Sequence, residues 1–195
     1  MIRPAFNSAF LLLAALMLTA CASSGSAVQK RLDPLTGATV RRAAVPIIMY
    51  RDNSAYAAHA RSFVYMGPVE VNRSGGYAYY LWFGIWNTMR DEERRSQIRD
   101  GFESVVLFVD GDPLSLELAG WAYRDIGVSE RVYEQPVAGA ADAFYRVTLD
   151  QIRLIAAARD IELHTGAAGR APFLPWNGQG AAEKSLREFA AYGYD

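Results

Sequence analysis

The chain has 195 residues, with 20 basic against 21 acidic side chains and a formal charge of −1 at pH 7. Near-neutrality argues against a nucleic-acid surface, which needs a basic stripe. A single cysteine excludes a disulfide framework and a thiolate metal site, so stability has to come from packing.

The first twenty residues fall into zones. Arg3 gives a positive start, and residues 10–18 (FLLLAALML) form an unbroken apolar run. The run is the length of a signal-peptide core, and a spanning helix needs about twice as many residues. Leu18-Thr19-Ala20-Cys21 follows at once and holds the chain's one cysteine. These four residues resemble the lipobox of bacterial lipoproteins: Leu, two small residues, then Cys. The resemblance covers only this N-terminal stretch. It implies that Leu18, Thr19 and Ala20 are read by the lipoprotein signal peptidase and that residues 1–20 are removed. It also implies that Cys21 becomes the first mature residue, carrying diacylglycerol on its thiol and an acyl group on its amino terminus. The membrane is then a partner through the anchor, and no other cofactor is expected. Ala22, where an Asp would mark inner-membrane retention, implies the outer membrane of a Gram-negative cell, with the protein facing the periplasm.

Residues 21–31 read as the lipidated cysteine and a small, polar tether, because ASSGSAVQK offers little apolar surface to bury. The turn signal LDPLTG at 32–37 opens a single globular domain over 32–195, a normal size for one domain. Residues 40–50 are extended, with Pro46 at an edge or bend. Residues 61–72 read as a strand interrupted at Gly67-Pro68. Ser74-Gly75-Gly76 is a hairpin turn, and residues 77–86 (YAYYLWFGIW) are its second arm. That arm is apolar on both faces, the mark of a strand covered on both sides. Residues 89–100 are a charge run. Residues 104–109 and 114–118 form a strand pair about the turn at Asp110-Gly111-Asp112-Pro113, and 133–137 and 143–147 read as two further strands.

The C-terminal third carries the helices. Thr148 and Gln151 form a capping box ahead of Leu149, Ile152, Ile155 and Ala156 at helical spacing. Residues 160–165 alternate as a strand. Residues 181–192 form an amphipathic helix with Ala182, Leu186, Phe189 and Ala190 inward and the i,i+4 pairs Glu183–Arg187 and Lys184–Glu188 outward. The expected fold is α+β: a mostly antiparallel, sandwich-like sheet of about seven strands with two short helices in the C-terminal third.

No catalytic or metal-binding residues are expected. His59 and His164 lack the companions of a metal-binding motif, although His164 shares a strand face with Glu162. No G-x-S-x-G, P-loop or G-x-G-x-x-G occurs. Asp110 and Asp112 read as turn chemistry before they read as a calcium loop, and Asp91, Glu92 and Glu93 read as a solvated run among arginines. The candidate binding surface is Tyr80, Trp82 and Trp86, rings on one face of the aromatic arm that are either core or a stacking platform. The chain therefore reads as a membrane-anchored periplasmic lipoprotein of the cell envelope with a binding or structural role and a possible envelope protein partner. An envelope hydrolase acting on cell-wall material and a small-ligand carrier are the alternatives.

Overall fold

The computed structural model describes residues 26–53, 59–88, 98–166 and 170–192. The signal segment, Cys21 and the carboxylates Asp91, Glu92 and Glu93 lie outside them. Ten strands run in the order β1 (Val28–Leu32), β2 (Thr39–Ala43), β3 (Ile47–Asp52), β4 (Arg61–Arg73), β5 (Gly76–Asn87), β6 (Val105–Val109), β7 (Asp112–Gly120), β8 (Ala141–Val147), β9 (Ile161–Thr165) and β10 (Leu174–Pro175). Helix α1 (Leu149–Ala157) joins β8 to β9, helix α2 (Gly180–Ala191) follows β10, and a single 3-10 turn spans Tyr123–Ile126. Among the described residues the domain is α+β, with a mostly antiparallel sheet and two helices, and has more strands than the sequence suggests.

Hydrogen bonding runs through β3, β4, β5, β8, β7, β6 and β9, each strand antiparallel to the next. Leu163 of β9 then exchanges backbone hydrogen bonds with Phe173, at 3.0 and 2.8 Å. The next residue begins β10, which pairs with β3. The sandwich-like sheet is thus bent round until its hydrogen bonding returns to the strand it left, which protects most of its edges. Its interior is filled by side chains, as the width of an eight-strand ring allows. Val64, Leu81, Phe83, Leu107, Tyr145 and Phe173 are buried there, and Ile152, Ile155, Leu186 and Phe189 of the helices join the same core.

The pivot is β4. Its first half pairs with β3 and its second half with β2, on the same edge. Arg42 lies opposite Val69 and Ile47 opposite Met66, so four residues (43–46) of one strand face two of β4. This bulge, with Pro46 in it, splits one extended segment into two strands. Gly67-Pro68 lies opposite the bulge and does not interrupt β4, contrary to the sequence reading. The proline is tolerated because the neighbouring strand is broken where its missing N–H would have donated. Gly67 has its own reason: a Cβ there would come within 2.5 Å of the Tyr133 ring, whose hydroxyl donates to the Pro68 carbonyl at 3.0 Å.

Other expectations are corrected in detail. Residues 133–137 are not a strand but part of an irregular cover. The fold begins at Val28, so residues 28–31 of the expected tether are strand β1. That strand is held by its backbone ladder to β2, with Val28 packed against the core. Helix α1 carries the chain from β8 across β7 and β6 to β9. The hairpin at Ser74-Gly75 has both residues at positive φ (50° and 90°), the two-residue form that matches strand twist. The capping box at Thr148 is formed on both sides. The α2 pairs stand at 3.8 Å (Arg187–Glu183) and 3.7 Å (Lys184–Glu188).

Candidate functional site

Side chains of β5 alternate between the two sides of the sheet. Leu81, Phe83 and Ile85 point into the ring, while Tyr80, Trp82 and Trp86 point outward and meet two different environments. Over Tyr80 and Trp82 lies the segment between β7 and β8, which brings Ile126, Val128, Val132 and Tyr133 onto the outer face. Trp82 is 1 % exposed and Tyr80 6 %. The Trp82 ring stacks on Tyr133 at 4.5 Å, and its Nε1 donates to Asp142 at 2.9 Å. Burial pushes the Tyr133 hydroxyl well above its ordinary pKa, against a smaller opposing pull from Arg42. Two of the three candidate rings are therefore core.

Trp86 lies beyond the cover. Leu174, Tyr50, Phe63 and Trp86 are successive cross-strand partners across β10, β3, β4 and β5, and directly opposed residues share a face. Phe63 and Trp86 stack at 4.5 Å. Trp176 stands edge-on to Tyr50 at 5.1 Å and tilted to Phe63 at 6.2 Å. Trp176 is 41 % exposed and Leu174 42 %. The Arg61 guanidinium lies 5.6 Å from both the Tyr50 and Trp176 rings and pairs with Asp52 at 2.8 Å. The Trp86 Nε1 is shielded from solvent and makes no hydrogen bond within the described structure. This row is an amphipathic aromatic ridge with one cation at its rim, the composition in which binding energy concentrates.

The remaining chemistry is structural in form. His164 Nε2 lies 3.0 Å from Glu162 and beside the Phe108 ring, and His59 is exposed in the turn before β4. Asp110 accepts from the backbone N–H groups of Arg159 and Asp160, both at 2.9 Å. Its carboxylate is thus used to fix the β9 entry. Among the described residues no three His, Cys, Asp or Glu side chains converge as a metal site. None of their helices is long and apolar enough to cross a membrane. An open depression of about 330 Å³ lies over Tyr77, Tyr79, Arg146 and Thr148.

One polar cluster escaped the sequence reading. Arg41, Glu70 and Tyr79 are cross-strand partners on the inner face. Arg41 and Glu70 are nearly fully buried and pair at 2.6 Å. Arg41 also donates to the Phe189 carbonyl at the C-terminus of α2 and lies 4.1 Å over the Phe189 ring. That position suits a cation at a helix C-terminus. Burial raises the Tyr79 pKa, and the adjacent Glu70 carboxylate raises it further. The cluster docks α2 onto β2 and β4.

Compared with protein-family models, curated proteins and solved structures, the chain matches none.

Proposed function

We propose that this protein is a lipid-anchored component of the bacterial envelope. In this reading it is held at the outer membrane through Cys21, faces the periplasm and binds a protein partner. Its binding face is the ridge of Tyr50, Phe63, Trp86 and Trp176 with Arg61. The observation that carries this reading is that these rings share one outer-face row without the cover that buries Tyr80 and Trp82. Half-buried rings in contact with one another beside an arginine suit a desolvating interface. The side-chain-filled interior weighs against the carrier alternative, which needs an enclosed cavity. The hydrolase alternative would need a pair of carboxylates facing a common cleft. Asp52 at the ridge and Glu70, cross-strand from Tyr79 of the depression, are each engaged by an arginine.

The test is site-specific photocrosslinking in cells, with the photoreactive residue at position 176 of the full-length chain. The expected result is one reproducible adduct at 176. It should be lost with Arg61→Glu and absent when the probe sits at Leu154, an exposed position on α1. Equal adducts at 176 and 154, or none at either, would overturn the binding face. Intact mass of the purified chain tests the anchor separately: the lipid belongs on Cys21, and a mature chain without it refutes that part.

A further inference from the structure

The turn between β1 and β2 is built inside out. Its charged residue, Asp33, is fully buried, while Leu32 is 67 % and Leu35 84 % exposed. The inversion is held by a dense set of hydrogen bonds. Asp33 accepts from the backbone N–H groups of Leu35 (3.2 Å) and Thr36 (3.0 Å). It also accepts from the Ser129 N–H and hydroxyl, both at 2.6 Å. Backbone bonds Asp33–Ala38 (2.8 Å) and Gly37–Asp33 (2.9 Å) close the turn. Burial alone would raise the Asp33 pKa, but these donors hold it well below the usual carboxylate range. Pro34 adds stiffness. Two leucines are thus presented to solvent on a rigid turn, where the conformational cost of ordering them has already been met.

They are not isolated. Leu32, Thr39, Asn72 and Tyr77 are cross-strand partners in one row and so share a face. Tyr77 is 41 % exposed there. Tyr192, 65 % exposed, lies by Arg41 in the adjoining row. Leu35, Leu32 and Tyr192 are the most exposed large apolar side chains among the described residues, and all three belong to this end of the domain. Exposed Lys30, two residues before Leu32 on the same strand face, flanks it, whereas Arg73 lies on the opposite face and donates to the Ile126 and Gly127 carbonyls. Glu130, the nearby surface carboxylate, is engaged by Arg31. Apolar tips with aromatic neighbours and a basic flank are the composition that seats at an anionic lipid interface.

We propose that the Leu32–Leu35 turn is a second membrane contact, inserting its leucines into an anionic phospholipid surface while Lys30 meets the headgroups. The proposal rests on the anchor reading for its tether. Six residues separate Cys21 from Val28 and extend at most about 21 Å, and β1 adds about 14 Å. A domain held at Cys21 therefore keeps Leu32 within reach of the same surface, at an effective concentration that makes a weak contact sufficient. The contact would also orient the domain. Along β4, Phe63 lies about 30 Å from the Asn72 end of the strand, so the aromatic ridge would point away from the membrane and into the periplasm.

The experiment uses full-length chain purified with its lipid and reconstituted in phosphatidylcholine–phosphatidylglycerol vesicles. Leu35→Cys carries an environment-sensitive fluorophore, and Leu154→Cys carries the same label for comparison. The expected result is a blue-shifted emission at position 35, quenched by lipids bearing a nitroxide near the headgroup, with neither effect at 154. Omitting phosphatidylglycerol should weaken the quenching. Identical emission at the two positions would overturn the insertion, and undiminished quenching without phosphatidylglycerol would overturn its electrostatic half. Intact mass separates this from failure of the anchor, because an unlipidated Cys21 would take a second label. In that case the same comparison in a Cys21→Ala background, with vesicles added, decides the turn by itself.

Discussion

The outer face of β5 is one surface with two fates. At Tyr80 and Trp82 it is roofed by the segment between β7 and β8, and the rings become core. Four residues further along the same strand and face, Trp86 has no such roof among the described residues and stacks in a half-buried row with Phe63. Strand periodicity decides which side of a sheet a residue is on, whereas burial depends on what a distant part of the chain lays over it. Which outer-face rings stay accessible on this domain is therefore decided by where the cover stops.

The sharpest way to break this comparison is to truncate one ring in each environment. Trp82→Ala removes a stacked, hydrogen-bonded, 1 % exposed side chain and should cost about 3–5 kcal/mol of stability. Trp86→Ala, half-buried, should cost a fraction of that, while removing the partner adduct at position 176. Urea unfolding of the two variants measures the difference. Equal losses would mean that the cover does not distinguish the two sites.

How much of this was legible follows from the same contrast. The two-residue turn at Ser74-Gly75 fixes the β4–β5 register, and counting outward from it places Phe63 opposite Trp86. That half of the ridge was available from sequence. Tyr50 and Trp176 were not, because their places depend on the β2–β3 bulge and on β10 returning to β3. The amphipathic period of α2 and the capping box of α1 are local, and both were readable. The cover was misread as a strand at 133–137 because Tyr133 and Val132 are apolar for a different reason, namely packing down onto Trp82 and its neighbours. The Arg41–Glu70 pair was hidden in an alternation of charged and apolar residues that ordinarily means a solvated face; α2 covers it from the far end of the chain.

That pair offers the next contrast. Glu70→Ala leaves Arg41 buried and without its carboxylate, and removal of one member of a buried pair costs about 3–5 kcal/mol. Asp52→Ala breaks the Arg61 pair on the ridge, where both side chains are well exposed, and should cost about 0–1 kcal/mol. Chemical denaturation of each variant gives the comparison. A small loss at Glu70 would mean that α2 is not docked through Arg41 and that the inner-face row is wetter than its burial implies.

The gentlest test acts on the latch that ties the cover to the β1–β2 turn. Asp33 holds Ser129 by two hydrogen bonds, so the start of the cover depends on a carboxylate that must stay ionised. Its folded pKa lies below its unfolded value because of those donors, despite burial, which acts in the opposite direction. The unfolded chain therefore binds the proton first. The stability contributed by Asp33 is complete above the unfolded carboxylate range, near about pH 4, and declines as pH falls toward the depressed folded value. Asp33→Asn cannot titrate, so the melting temperatures of wild type and variant should differ most at neutral pH and converge in acid. A separation that stays constant from neutral pH into acid would show that the ionised carboxylate is not what fastens the cover. The turn would then have to be kept inside out by its backbone bonds and Pro34 alone.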